Sequence, residues 1–414
     1  MDIKKIIAAC TSLVIIGAVS SFDGYVGMRS LSASEASVAA DSHGINVAYR
    51  SVDEIREYAA KHPFDISAAT SYAVSPNTTS PYAAGSLSQE TLNESLNSLN
   101  VVRFIAGLDE VSLSSDYCSY TQAASLVNAV NNSLSHSPVQ PSGMPDELYK
   151  LGSTGAGRSN IGMGYTNPAH SLVYGYMYDR DSNNISTMGH RRWCLNPSMK
   201  STGFGQVGRY TAMYAFDSGN SSNAYGVCWP AQNMPVEYFG GNVPWSISMG
   251  YTADISSIKV TLTRKSDSKA WSFSESSSDG DFYVNNGGYG QKGCIIFRPT
   301  GINSYSDGDI YNVKIEGLKE AVSYTVSFFS VKSLGLGDVN ADGAINAIDA
   351  SIVLTEYGQL STNQPTTLTV TQSQAADVNK DDTINAIDAS YILAYYAYAS
   401  TDGQDSFKDF LAKL

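Results

Sequence analysis

The stretch GDVNADGAINAIDAS at Gly337–Ser351 returns 39 residues later as ADVNKDDTINAIDAS at Ala376–Ser390. Counting from Asp338, the acidic and amide side chains Asp338, Asn340, Asp342, Asn346 and Asp349 fall at places 1, 3, 5, 9 and 12 of a twelve-residue loop. Asp377, Asn379, Asp381, Asn385 and Asp388 fall at the same places of the second copy. That spacing surrounds a hard cation with oxygens, and it is the ligand spacing of a calcium loop, in which place 7 supplies a backbone carbonyl. Place 7 is Ala344 in the first copy and Thr383 in the second. Gly343 stands at place 6, where the turn favours a residue without a Cβ. Asp382 stands there in the second copy and belongs to the few residue types besides glycine that visit the left-handed region. Asx-rich turns also use Asp, Asn and Gly. Five ligand places filled twice over favour two calcium ions instead.

Each loop departs from the common EF-hand. Place 12 is Asp and not Glu, and Leu334-Gly335-Leu336-Gly337 makes a poor incoming helix because two glycines interrupt it. What remains is a loop followed by a helix, twice over, with INAIDAS running into Ile352-Val353-Leu354 and then Tyr391-Ile392-Leu393. From about Gly335 to Ser400 this duplicated pattern resembles the dockerin module of cellulosomal proteins. The resemblance implies calcium-dependent docking onto a cohesin domain of a scaffolding protein. It also implies that cohesin meets the residues around places 10 and 11 and the following helix, here Ala347, Ile348 and Ser351, and Ala386, Ile387 and Ser390. Because both copies read NAIDAS, it leaves open docking in either of two orientations.

Charge fits an ion-loaded C-terminus. Asp338–Leu414 holds eleven acidic residues against Lys380, Lys408 and Lys413, most of the chain's net charge of −13. Without metal, like charge at that density opposes compaction. With no basic stretch to match phosphates, a nucleic-acid partner is excluded. At the other end, Lys4 and Lys5 precede Ile6–Val19, which is nearly all apolar or small. A membrane span needs about 20 apolar residues, so this reads as an export signal. A secreted, extracellular protein with no stable membrane span is expected. Beyond the signal lie Cys118, Cys194, Cys228 and Cys294, for which disulfides are permitted and not required.

The middle of the chain divides by periodicity. VDEIREYAAKHP reads as a short helix before a Ser, Thr, Asn and Pro-rich arm. Leu92, Leu96, Leu99, Val102 and Ala106 recur at helical steps until Gly107, and a second helix is expected from about Tyr120 to Leu134. From Ile255 the period changes to two, in IKVTLTR, YNVKIEG and SYTVSFF, which predicts a small antiparallel β-sandwich.

The helical part carries MGHRRWCLNPSMKSTGFGQVG at Met188–Gly208, with NNSLSHSP around His136, RSNIGMG at Arg158–Gly164 and LNVVRFIAGL before them. Over roughly Ser86–Met249 these strings resemble the CAP domain of cysteine-rich secretory and plant pathogenesis-related proteins. The resemblance implies an α-β-α sandwich with an open cleft faced by His136 and His190. Two acids accompany the histidines in many members. This chain departs there, with Ser159 in place of one Glu and Asp179, or Asp181, in place of the other. The loss of charge and reach argues against a strongly held Zn²⁺ or Mg²⁺ and leaves room for a weakly held divalent metal.

The expected architecture is thus multidomain α+β. A signal peptide and leader (1–35) and an N-terminal arm (36–85) precede a CAP α-β-α sandwich (86–250). A small antiparallel β-sandwich (251–333), a helical dockerin with paired calcium loops (335–400) and a C-terminal tail (401–414) follow. No nucleophile elbow or catalytic-cysteine signature is present. The favoured reading is a non-catalytic CAP module binding a ligand or protein, with plant cell-wall polysaccharide or protein as its partner. A hydrolase, peptidase-like, using His136, His190 and Asp179 is the alternative. A third reading has the β domain bind carbohydrate through Trp271, Tyr283 and Tyr289.

Overall fold

The computed structural model describes residues 45–414 apart from 222–225, 333 and 402. The expected export signal lies outside the described residues. The chain divides into two compact units, one ending at Val331 and the other running from Lys332 to Leu414.

The larger unit opens with α1 (Val52–Lys61), started by a capping box between Ser51 and Glu54. Helix α2 (Gln89–Ile105) is capped by the Ser88 hydroxyl on Thr91 N, and the chain turns away at Gly107, whose φ is +75°. Helix α3 (Ser115–Val130) starts five residues before the sequence-based expectation, because the Ser114 hydroxyl accepts from Tyr117 N and sets the first turn there.

The sequence pattern gave no sign of α4 (Asp146–Gly157), whose DELYKLGSTGAG is poor in helix formers. Its glycines have a packing reason. A Cβ at Gly155 would fall 2.1 Å from Tyr120 O, and one at Gly152 would fall 2.5 Å from a Val127 methyl. The α4 backbone can therefore approach the backbone of α3 closely.

Both helices cover one face of an antiparallel sheet of β1 (Ser159–Met163), β2 (Phe204–Val207) and β3 (Tyr210–Tyr214), with β3 in the centre. Ile161 and Ala212 pack there on Ala124 and Ala156. On the sheet's other face, Phe204 and Met213 join the core that holds Leu99 and Val102 of α2 and Leu172 and Val173 of the helical segment 168–176. The result is three layers, helix, sheet and helix.

The boundary expected near Tyr251 is crossed by the sheets. Strands β4 (Val227–Trp229), β5 (Asn233–Pro235) and β6 (Trp245–Ser248) precede it and belong to the sandwich. The others are β7 (Lys259–Arg264), β8 (Ala270–Phe273), β9 (Gly280–Tyr289), β10 (Gln291–Pro299), β11 (Ile310–Glu316) and β12 (Val322–Phe329). One sheet has the order β9-β10-β6-β4, and the other has the order β8-β7-β11-β12-β5 with only the last pair parallel. A single hydrophobic core runs from Leu99 and Val102 through Trp229 and Trp245 to Phe297 and Phe328. Every residue of β4 and β6 is buried; Val227–Trp229 shows no alternation and that of Trp245–Ser248 spans only four residues, too short to mark a strand by the alternation that set the boundary.

In the smaller unit, α5 (Ala347–Ser361) and α7 (Ala386–Ala399) follow the two loops, with α6 (Val370–Ala376) between them. Val339, Val353, Val378 and Ile392 form its core. The segment expected to be a tail belongs to that core as well. Phe407 and Phe410 of α8 (Phe407–Leu411) are buried in it, with the Phe407 ring 4.9 Å from that of Tyr395.

Candidate functional site

The two loops match hydrogen bond for hydrogen bond. Asp338 Oδ1 and Oδ2 accept from Asp342 N and Gly343 N, as Asp377 accepts from Asp381 N and Asp382 N. Asn340 Oδ1 accepts from Asp342 N and Asn379 Oδ1 from Asp381 N. The place-7 carbonyls of Ala344 and Thr383 accept from the place-9 amides of Asn346 and Asn385, whose Oδ1 atoms cap α5 and α7 through Ile348 N and Ile387 N.

At place 12, Asp349 and Asp388 are fully buried, and each accepts from three backbone amides of its own loop. Burial raises the Asp388 carboxyl above its ordinary range, the bonds from Asn385, Asn379 and Val378 oppose the shift, and the charge of Asp377 adds to it.

Left-handed residues turn the loops. Gly343 and Asp382 at place 6 have φ of +84° and +62°, as their residue types suggested. Ala341 and Lys380 at place 4 share that conformation, with φ of +64° and +58°. Nothing in their residue types announces this, since neither alanine nor lysine favours the region.

Among the described residues, no three His, Cys, Asp or Glu side chains form a ready-made metal cage. In the loops, half the donors are Asn side chains and carbonyls, and the place-12 carboxylates face backbone amides. The donor set nevertheless fits calcium. It is all oxygen, and each loop is already wound so that places 1, 3, 5 and 12 return onto its own backbone. Asp338, Asn340, Asp342, Ala344, Asn346 and Asp349 would hold one ion, and Asp377, Asn379, Asp381, Thr383, Asn385 and Asp388 the other. Bound calcium would offset the carboxylate charge and fix each loop against the helix it starts.

At place 11 of each loop, in the first turn of the helix it starts, stands an exposed isoleucine, Ile348 at 57 % and Ile387 at 50 %. Nine residues further along, Tyr357 and Tyr396 are exposed at matching positions. Ala347 and Ser351 are exposed, and Ala386 is half-buried. Ser390 differs from Ser351. It is 7 % exposed and its hydroxyl donates to Ala386 O, so the second copy lacks the exposed serine that the repeat suggested.

In the larger unit, His190 and Asp179 come together. His190 Nδ1 lies 2.7 Å from Asp179 Oδ1, and Asp179 Oδ2 accepts from Arg191 N. Asp179 is buried with a φ of +45°, while the His190 side chain is 22 % exposed and its ring stacks on Tyr176. Burial pulls the imidazole pKa down, but the hydrogen bond and charge of Asp179, with the charge of Asp181, leave it above 6.5. Its Nδ1 is engaged as a donor.

His136 does not join this pair and instead bonds Ala156 O through Nδ1 at 2.8 Å. Ser159 is buried. Among the described residues, no third His, Cys, Asp or Glu completes a metal group around these residues, so those present do not fit the divalent metal that the sequence left room for.

The two arginines of GHRRWCLNP also belong to this region, although no motif marks their role. Both are buried on the helix Gly189–Cys194. Arg191 donates to Met177 O, Tyr178 O, Pro244 O and Ser246 Oγ. Arg192 donates to Thr187 O, Asn285 Oδ1, Gly287 O and Gln291 O. They tie the His190 helix to the β6 and β9–β10 region, which is why the helical layers and the sandwich form one unit. Arginine suits this task because its donors fan out in a fixed plane.

All four described cysteines are free thiols. Trp271 is 3 % exposed with its indole N–H on Thr300 O, Tyr283 packs on Met188, Cys294 and Ile296, and Tyr289 lies against Arg192. None is a free aromatic platform, which removes the observation that favoured carbohydrate binding by the β strands.

Residues 336–395 match the family described as Dockerin type I domain. A dockerin implies calcium binding and a cohesin partner in a cellulosome-type assembly. Among solved structures, an extracellular protein containing an SCP domain from Bacillus anthracis str. Ames is similar over 30 % of this chain and 39 % of its own, at 16 % identity and a TM-score of 0.23. The chain thus spans about two fifths of that structure's length. CopC from Methylosinus trichosporium OB3b is similar over 27 % of this chain and 97 % of its own, at 10 % identity and a TM-score of 0.18. At such scores neither likeness carries an argument about fold or activity. No curated protein matches the chain. Among the described residues, no helix is long and apolar enough to cross a membrane.

Proposed function

We propose that this is a secreted protein whose C-terminal unit docks, in a calcium-dependent way, onto a cohesin of a scaffolding protein and carries a CAP-like unit that binds a ligand or protein. The observation that supports it most is the pairing of two matched loops with an exposed isoleucine at place 11 of each. An exposed branched apolar side chain at a helix start gains by being covered, and its repetition offers a partner two related surfaces. Ala347, Ile348 and Ser351, and Ala386 and Ile387, form the docking contacts, and two calcium ions hold the helices that present them.

Three variants test this: Ile348→Lys, Ile387→Lys and both together. Each single variant is expected to keep most cohesin binding because the other copy remains, and the double variant to lose it. Loss of all binding in one single variant would rule out docking in two orientations. Full binding by the folded double variant would remove these helix starts from the interface.

The Asp179–His190 pair supports a second reading, a hydrolase in which His190 acts as a base oriented by Asp179. Loss of peptide or glycan turnover in folded His190→Ala would support it, and no turnover by the intact protein on either class would remove it.

A further inference from the structure

Between the arm that leads into α2 and the first turns of α3 lies a half-open cavity of about 370 Å³. Protein interiors leave few voids larger than a water molecule, and ligand pockets begin at roughly 300 Å³. Neither His136 nor His190 lines this cavity.

Its apolar wall is Leu87, Leu92, Leu113 and Phe204, and no acidic or basic residue lines it. Its shape is fixed by its surroundings. Helix α3 already touches the backbone of the neighbouring strand, since a Cβ at Gly205 would fall 2.4 Å from Gln122 N. Gln122 is held on both sides, donating to Ala84 O and Gln206 O and accepting from Gln206 N. The helix therefore cannot move inward to close the space, and the cavity persists without a ligand as a preformed pocket.

We propose that this cavity binds a small neutral aromatic molecule of one or two rings bearing a hydroxyl, its rings against the leucines and Phe204 and its hydroxyl toward the serines at the mouth. The uncharged lining disfavours an ion, whose desolvation nothing there offsets. The polar part of the lining is Ser86, Gln89, Ser115, Ser119 and Gln122, of which Gln122, Gln89 and Ser119 already donate within the protein, which suits a ligand with one hydroxyl better than the many of a sugar.

Cys118 lines the cavity and provides the readout, because it is partly exposed whereas Cys194, Cys228 and Cys294 are buried. The full chain is treated with N-ethylmaleimide at increasing 2-naphthol, and the modification of Cys118 is followed by mass spectrometry of its peptide. The expected result is saturable protection, with the labelling rate falling about five-fold when 2-naphthol stands at about four times its Kd. Ser119→Phe, which fills the mouth, is expected to abolish the ligand's effect, whereas Ser119→Ala retains it. If circular dichroism shows that Ser119→Phe does not fold, Ser86→Phe takes its place. No saturable protection up to the solubility limit, or undiminished protection in a folded filling variant, would overturn the proposal.

Discussion

Asp349 and Asp388, 39 residues apart, hold equivalent positions: each carboxylate is fully buried and accepts from the backbone amides of places 2, 3 and 9 of its own loop. Each therefore joins the beginning of its loop to the helix that follows. Replacing either by Ala removes a proposed calcium ligand and strands amides, of which Val339 N and Val378 N are buried. Unsatisfied buried amides cost roughly 1–3 kcal/mol each, so D349A and D388A are each expected to lower stability of the calcium-loaded protein by about 2–4 kcal/mol. Thermal denaturation monitored on the C-terminal unit checks this. Equal, near-zero effects would mean that the carboxylates do not close the loops.

The loops differ in backbone strain. Asp382 adopts a φ of +62° where the first loop has Gly343, and a left-handed residue other than glycine costs roughly 1 kcal/mol. The Asp382 amide bond to Asp377 Oδ2 needs no side chain and survives substitution. Asp382→Gly is therefore expected to stabilise the second loop by about 1 kcal/mol and to tighten calcium binding there, and Gly343→Asp to weaken the first loop. Calcium titration by calorimetry resolves both.

Asp179 sets the protonation of His190. With the imidazole pKa held above 6.5, the charged pair contributes stability fully below pH 6.5, and that contribution is lost as pH rises through the raised value. In Asp179→Asn burial remains without its opposing charge, so the His190 pKa is expected to fall below 6.5. An NMR titration of the imidazole measures it directly. An unchanged pKa would show that the pair is not formed in solution.

What the sequence made legible follows from where each signal lies. The loop pattern is local: every proposed ligand sits within twelve residues, so Asp338 to Asp349 and Asp377 to Asp388 could be read in register. The alternation of Val260 and Leu262, or of Tyr311, Val313 and Ile315, marked strands with one face exposed. Buried Val227–Trp229 shows no alternation and that of Trp245–Ser248 spans only four residues, so the sandwich was placed too late. Helix α4 was hidden by the glycines that let it pack on α3. Arg191 and Arg192 were opaque because their partners, from Met177 to Gln291, are mostly carbonyls, and a carbonyl has no residue type to recognise. His136 and His190 were chosen together, but only His190 has an acid beside it, because His136 is held by Ala156 O on another segment.

The most direct test of the account is calorimetric titration of the full chain with a panel of cohesins, first with calcium and then with EDTA. The account predicts tight binding to at least one cohesin, abolished by EDTA and restored by added calcium. Binding that survives EDTA unchanged, or no binding by the calcium-loaded protein to any cohesin type, would contradict it.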